Sequence, residues 1–191
     1  MANIHAPANR KVRWGFGLFT DRIRGKWIQF YLLTGKILRA KSENRKVFYF
    51  ARIKEYRDSL EKSRQLIEEQ RLLKTHLETQ DFEVILSGRV RGQMEGGRNG
   101  KQVLIFKEKG VDVKIAVDMV SLACDKKVKE IILGSSDSDL QPAIKEVRDR
   151  KVSCVYLGFE TQPNKGLSYT TNKTILIRNS ELFEFEKIVC G

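Results

Sequence analysis

Residues 109–140 hold five aspartates, and four of them, Asp112, Asp118, Asp137 and Asp139, lie on successive predicted elements of an α/β pattern. The apolar positions of residues 111–124 recur at steps of three and four and are too numerous for a strand, so they predict a largely buried helix. Residues 131–133 form a short apolar run before Gly134, which is typical of a central parallel strand. A further helix and the strand 152–157 complete a succession that predicts parallel β-α-β units.

Two of these aspartates follow a predicted strand directly. In an open parallel sheet, ligands bind beyond the C-terminal ends of the strands, and Asp137 and Asp139 lie in the loop after residues 131–133. Several carboxylates brought together repel one another unless a cation lies between them. Oxygen ligands without a nearby His or Cys suit Mg²⁺ or Mn²⁺, and such an ion can hold a phosphate oxygen and activate water. The pattern therefore predicts a divalent-metal site.

Three of the aspartates have a structural interpretation beside the chemical one. Asp112 opens the predicted helix, so it is either a metal ligand or a cap of the free N–H groups. Asp137 is the strongest candidate ligand, because Ser138 or Asp139 can supply the cap of the following helix. For Asp139, direct metal binding, action through a water molecule and simple capping all stay open.

Asp118 lies on the same predicted helix, six residues after Asp112. Six helical steps turn the chain by about 240°, so the two carboxylates do not share a face. We expect Asp118 to be a supporting acid of the site that pairs with Lys114 at i−4. The two histidines, His5 and His76, are far from these elements, so neither a zinc site nor a Ser-His-Asp arrangement is supported.

Two motifs of this segment carry a family resemblance. KGVDVKIAVDM at 109–119, followed by LGSSDSDL at 133–140, resembles the NYN-domain family, the LabA-like branch of the PIN-like nuclease superfamily. Ser136 stands where the family usually has glycine, and Leu140 stands where it has phenylalanine. The resemblance is good over 82–159 and extends less closely back to residue 47.

The resemblance implies a fold and an activity. The fold is a three-layer α/β/α sandwich with a mainly parallel central sheet, and the activity is RNA cleavage that depends on Mg²⁺ or Mn²⁺. It also implies the acids of the site, which are Asp112, Asp118, Asp137 and Asp139 as catalytic residues, with Asp21, Asp112, Asp137 and Asp139 as metal ligands. The alternative is a catalytically degenerate PIN-like module that binds RNA or another protein.

The first-strand acid of this family is the part least matched here. The family opens with a strand that ends in aspartate, followed three residues later by asparagine. The nearest candidate is the strand 16–21, which ends at Asp21, and Arg24 stands in the asparagine position. A turn or helix-cap role for Asp21 stays open beside the metal role.

Residues 82–106 are predicted to form a hairpin arm beside the acids. Its strands enclose the glycine-rich loop 91–101, with Asn99-Gly100 at or near the turn. Basic side chains line the arm and lead into the acidic helix: Arg89, Arg91, Arg98, Lys101, Lys107 and Lys109. We expect Arg89, Arg91, Arg98, Lys101 and Lys109 to bind single-stranded RNA, although an ordinary solvated hairpin is the alternative.

The length of 191 residues suits a single domain with one core. We expect a flexible leader at 1–10 and one NYN/PIN-like domain at 11–191, whose segment 11–54 is basic. Residues 1–54 hold 13 of the 36 Lys and Arg residues against only Asp21 and Glu43, which favours a polyanion partner. A disordered solvated arm is the alternative.

The compartment is predicted from what the sequence lacks. It has no secretory signal pattern and no run of about 20 apolar residues that would span a bilayer. Its three cysteines are an odd number and widely spaced, as expected for reduced thiols. These features predict a cytoplasmic protein without a membrane partner, and a homodimer is left open.

The remaining elements are predicted from periodicity and turn residues. Residues 47–53 are predicted to form a strand and residues 55–79 a long helix packed on the sheet. Residues 158–171 are predicted to be a loop at the substrate rim. An edge strand within 172–178 and a short helix at 181–189 are expected to close the chain.

Overall fold

The computed structural model describes residues 2–6, 10–13, 27–28, 45–96, 102–183 and 186–187. Within these ranges the strands are β1 (Ala2–Ala6), β2 (Arg10–Arg13), β3 (Trp27–Ile28), β4 (Arg45–Arg52), β5 (Phe82–Gly96), β6 (Gln102–Lys109), β7 (Glu130–Leu133), β8 (Ser153–Phe159), β9 (Lys173–Ile177) and β10 (Glu186–Lys187). The helices of the same ranges are α1 (Leu60–Glu78), α2 (Val111–Cys124), α3 (Gln141–Asp149), α4 (Lys165–Thr170) and α5 (Asn179–Phe183).

The main sheet has the strand order β6-β5-β4-β1-β2-β7-β8-β9. Pairing is parallel between β4 and β5, between β2 and β7, between β7 and β8, and between β8 and β9. Only β1 and β6 run antiparallel to their neighbours in this sheet of the described residues. The predicted mainly parallel sheet is therefore confirmed. A separate antiparallel pair joins β3 to β10.

Helices cover both faces of the sheet. On one face α2 and α3 pack on a buried cluster of sheet residues, which includes Val47, Tyr49, Ile131, Leu133, Cys154 and Tyr156. Successive side chains of a strand alternate between faces, so Lys46, Phe48 and Phe50 of β4 point to the other face. The Lys46 ammonium there donates to the carbonyl of Gln80, just after α1. Helix α1 therefore forms the third layer, as predicted for an α/β/α sandwich.

Burial explains the α2–β7 unit that the sequence predicted. Val111, Ile115, Met119 and Ala123 of α2 recur every four residues and are all buried. The β7 run ends in three buried residues, as expected for a strand covered on both faces. With α2 packed on the sheet in this way, the start of α2 and the loop after β7 lie at the same end of the sheet.

Several predicted boundaries are corrected. Residues 1–10 were expected to be a leader, but β1 lies within them because its backbone pairs with both β2 and β4. Residues 158–171 were expected to be loop, but α4 forms within them because the Asn164 side chain caps it. The hairpin extends beyond residue 106 to Lys109, since the β5–β6 ladder continues that far.

The ends of the predicted helices also shift. The long helix begins at Leu60 rather than at residue 55, after a 3₁₀ turn at Arg57–Ser59. The last helix was expected at 181–189, whereas α5 ends at Phe183 and Glu186–Lys187 pairs with β3. No helix in the described residues is long and apolar enough to cross a membrane.

Candidate functional site

Asp112 lies in the first turn of α2, and its environment does not fit a capping role. The residue at the helix N-cap is Gly110, in a left-handed conformation with φ of 93°, and no side chain caps this end. The Oδ1 atom of Asp112 is buried and has no hydrogen-bond partner among the residues that the structure describes. A buried carboxylate oxygen without a partner is costly, so the capping interpretation of Asp112 is wrong and its placement needs another reason.

Asp137 lies in the loop after β7 and caps the 3₁₀ turn Ser138–Leu140. Its Oδ1 accepts from the backbone N–H of Asp139 at 2.8 Å, and its own N–H donates to the Oγ of the buried Ser135 at 3.0 Å. Ser138 or Asp139 was expected to cap the following helix, but the N-cap of α3 is Leu140, without a side-chain hydrogen bond, so that expectation is corrected. One carboxylate oxygen of Asp137 is held by the backbone, which fixes the orientation of the group.

The structure brings Asp112 and Asp137 together. The pKa of Asp112 is raised to about 7, most of all by burial, and then by the negative charge of Asp137, a hydrogen bond to that carboxyl group and the charge of Glu108. When both carboxyl groups are ionised, neither can donate a hydrogen bond to the other. The two groups are therefore a repelling pair that a proton or a cation would relieve.

Glu108 is a part of this acidic site that the sequence did not indicate. Burial raises its pKa above the usual range, and the charge of Asp137 raises it as well. Glu108 pairs with Val90 across the β5–β6 ladder, and Val90 packs on the cluster beneath α2. In the sequence Glu108 reads as an ordinary strand residue between two lysines. The available signal was that Glu108 lies opposite Val90 and therefore on the same face of the hairpin. That face can be assigned only once the register of the two strands is known.

Asp118 has contacts that differ from those of the acidic pair. Its Oδ2 accepts from the Tyr49 hydroxyl, and its Oδ1 accepts from the Lys114 ammonium at 2.6 Å. The predicted pairing with Lys114 is confirmed. Asp118 is not among the groups that shift the pKa of Asp112. The observed contacts therefore tie α2 to β4.

The other predicted site residues lie at the periphery or outside the described residues. Asp139 is exposed, and its backbone N–H, rather than its carboxylate, contacts Asp137. Asp21 and the predicted strand 16–21 lie outside the residues that the structure describes, as do Arg98 and Lys101.

Asn164 holds the loop that carries Asp137. Its Nδ2 donates to the carbonyl of Ser136 at 2.8 Å, while its Oδ1 accepts from the N–H of Leu167 at 2.9 Å and caps α4. Its backbone N–H donates to the hydroxyl of the buried Tyr156 at 3.0 Å. One side chain thus joins the site loop, α4 and the core, a role that the sequence did not reveal.

The hairpin presents basic side chains at the end of the sheet where the acids lie. Arg89 pairs with Lys109 and Arg91 pairs with Lys107 across the ladder, and all four side chains are exposed. Lys109 stands three residues before Asp112. The predicted RNA-binding residues Arg89, Arg91 and Lys109 therefore lie at the end of the sheet that carries the acidic site.

The acidic pair offers few ligands for a metal ion. Among the described residues, no group of three or more His, Cys, Asp or Glu side chains could hold one. The partnerless oxygen of Asp112 beside Asp137 nevertheless fits a hard divalent cation. Mg²⁺ in particular is commonly held by one or two carboxylates while it keeps several waters. Asp112 and Asp137 thus suit a two-carboxylate site.

The mainly parallel sheet lies between two layers of helices, with acids beyond the end of β7, and this arrangement defines a PIN-like α/β protein. The NYN-domain family model matches residues 36–177, which is most of the chain. The chain therefore belongs to the NYN-domain family, within the PIN-like nuclease superfamily. The match includes both motifs of the acidic segment and extends further toward the N-terminus than the resemblance seen in the sequence.

A crystal structure of a protein of unknown function from Vibrio parahaemolyticus matches 62% of this chain at 22% identity, with a TM-score of 0.45. The matched region spans 64% of that protein's length. Comparison with the curated proteins found no match.

Proposed function

We propose that this protein is a metal-dependent endoribonuclease that hydrolyses RNA phosphodiester bonds. The observation that carries the proposal is the buried, partnerless oxygen of Asp112 beside Asp137. Perturbed carboxylates in such an arrangement are typical of functional sites. Membership of the NYN-domain family supports the same reaction class.

Asp112 and Asp137 would hold the divalent ion, either Mg²⁺ or Mn²⁺. When bound, the ion would neutralise the carboxylate pair and polarise a phosphodiester toward attack by water. The protein's own contribution is orientation, because the backbone of Asp139 and the hydroxyl of Ser135 hold Asp137 in place. Glu108 adds negative charge beside the pair and favours cation uptake.

The finer assignments are also proposals. We assign the chain to the LabA-like branch of the family, with single-stranded RNA as substrate, Asp21 and Asp139 as further metal ligands, and Asp118 as a supporting acid. Arg89, Arg91, Arg98, Lys101 and Lys109 would bind the RNA. A cytoplasmic location fits the reduced thiols of Cys124 and Cys154, and a homodimer stays an open part of the proposal.

The second candidate function is a degenerate binding module. It is favoured by one observation, which is that the acids of the described residues do not form a group of three that could hold a metal. In that case the acidic pair would be retained without turnover, and the domain would act by binding RNA or another protein.

Cleavage of a labelled single-stranded RNA separates the two candidates. The assay compares Mn²⁺, Mg²⁺ and EDTA for the wild type, for Asp137→Ala and for Asp149→Ala, an exposed aspartate at the end of α3 that serves as the matched control. A nuclease cleaves only with metal, loses cleavage in Asp137→Ala and keeps it in Asp149→Ala. Cleavage that survives Asp137→Ala would refute the site, and salt-sensitive binding without cleavage would favour the binding module.

A further inference from the structure

A row of three cations crosses the edge of the main sheet. Arg52 of β4 is in register with Arg89 of β5, and Arg89 is in register with Lys109 of β6. A second row, Arg91 and Lys107, lies two residues further along the hairpin. Together these five residues are called the cation rows. Neither Arg52 nor Lys107 was among the residues that the sequence assigned to RNA.

The cation rows lie on one face of the sheet. Directly paired residues share a face and residues two apart on a strand also share it. Ala51 and Val90 belong to the opposite face, because both pack on the cluster beneath α2. Glu108, the partner of Val90 in the ladder, is therefore on that opposite face as well. No acid alternates with the cations within the rows.

This arrangement is unfavourable for the isolated protein. Neighbouring strands lie about 4.8 Å apart, and like charges directly opposite each other destabilise a sheet. In the described part of the chain the side chains of Arg52, Arg89 and Lys109 have no ion pair or hydrogen bond. Glu55, three residues after Arg52 in the chain, is already paired with Arg64. A polyanion would supply the missing counter-charge.

We propose that the cation rows bind the phosphodiester backbone of single-stranded RNA on the face of the sheet opposite to Glu108. The rows are about 6.8 Å apart along the strands, so each can contact a separate phosphate. The choice of RNA rests on the proposed function, but the binding itself does not require cleavage. Contacts of this kind fix the position of the strand without reading its sequence.

The test measures binding of a labelled single-stranded RNA by fluorescence anisotropy in EDTA over a range of salt concentrations. The variant Arg52→Gln/Arg89→Gln/Lys109→Gln is compared with Lys129→Gln/Lys145→Gln/Lys173→Gln. The control removes the same charge from exposed residues outside the rows. We expect the first variant to bind the RNA at least about tenfold more weakly. Its plot of log binding constant against log salt concentration should be less steep by about 2. Its thermal midpoint should not fall, because the change removes repulsion.

The outcomes also separate this proposal from the nuclease proposal. The cation-row proposal would be overturned if the variant of Arg52, Arg89 and Lys109 bound RNA as tightly as the control. It would also be overturned if the wild-type protein did not bind RNA. Wild-type protein that prefers anionic vesicles or an acidic peptide over RNA would overturn it too. Binding that depends on the rows, with no cleavage under any metal, would support the proposal and refute only the nuclease.

Discussion

Gly88 and Gly110 pack backbone against backbone at the junction of β5, β6 and α2. A Cβ atom on Gly88 would lie 2.3 Å from the carbonyl oxygen of Lys109, and one on Gly110 would lie 3.4 Å from the Cα of Gly88. Both residues have positive φ, 78° and 93°, which glycine adopts without steric cost. This contact sets where α2 begins and therefore where Asp112 lies.

Gly88→Ala should destabilise the protein and disturb the acidic site. A Cβ at this position must displace backbone atoms, and alanine is strained at this φ, so we expect a loss of about 2–4 kcal/mol in unfolding free energy. The measurement is urea denaturation. Gly96→Ala is the matched control on the same strand, because a Cβ there would meet nothing within 4 Å. Equal stability of the two variants would contradict the role of the contact.

Asp112→Asn should stabilise the metal-free protein at pH 8. The raised pKa, about 7 against 3.8, means that the folded state holds a proton that the unfolded state releases between these values. The unfolding free energy therefore falls as pH rises from 4 to 7. Asparagine removes this cost, which after allowance for solvent screening is about 1–2 kcal/mol.

The Asp112→Asn prediction is checked by denaturant titration at pH 4 and pH 8. The gain should be largest at pH 8 and small at pH 4, with some pH dependence left because the pKa of Glu108 is also raised. Asp149→Asn, on an exposed position, should change stability by less than about 0.5 kcal/mol. A gain that is the same at both pH values would argue against a protonated Asp112 in the folded state.

Mn²⁺ or Mg²⁺ should raise the thermal midpoint of the wild type. A ligand that binds only the folded state stabilises it by about 2.7 kcal/mol at a hundred times its Kd. Asp137→Ala should lose most of this effect, because it removes one of the two carboxylates that would hold the ion. Asp149→Ala should keep it. Differential scanning fluorimetry gives the readout, and the same shift in Asp137→Ala would place the ion elsewhere.

Tyr49→Phe separates a structural role of Asp118 from a catalytic one. The change removes a hydrogen bond to a charged acceptor in the core, which should cost about 1.5–3 kcal/mol. If Asp118 serves only to tie α2 to β4, the variant should keep its turnover number at temperatures where it is folded. A large fall in turnover without loss of folded protein would assign Asp118 to the reaction.

Asn164→Ala should loosen the loop of Asp137. It removes the cap of α4 and the bond to the carbonyl of Ser136, for an expected cost of about 1–2 kcal/mol. Asn164→Asp is the informative partner variant, since it keeps the capping oxygen but not the amide donor. Hydrogen exchange should then be faster around residue 137 in both variants, while α4 stays protected only in Asn164→Asp. Unchanged exchange at the loop would contradict this role.

Periodicity predicted the elements that carry their own signal. The four-residue recurrence of buried positions in α2 and the apolar run of β7 are local properties, so the sequence indicated both correctly. The role of Asn164 could not be predicted in this way, because α4 is short. Its contacts with Ser136 and Tyr156 join residues that are distant in the chain. The leader prediction was wrong for a related reason, since β1 forms by pairing with distant strands.

The sequence alone indicated the family, the helices and strands with clear periodicity such as α2 and β7, and Asp112 and Asp137 as the leading candidates, because spacing and local motifs record these directly. Tertiary structure decided what those residues face. Glu108 joins the acids, and Arg52 joins the cations, only through the strand register, which depends on residues far apart in the chain. Burial then decided the electrostatics, because a carboxylate's pKa depends on lost solvent and neighbouring charges rather than on its place in a motif.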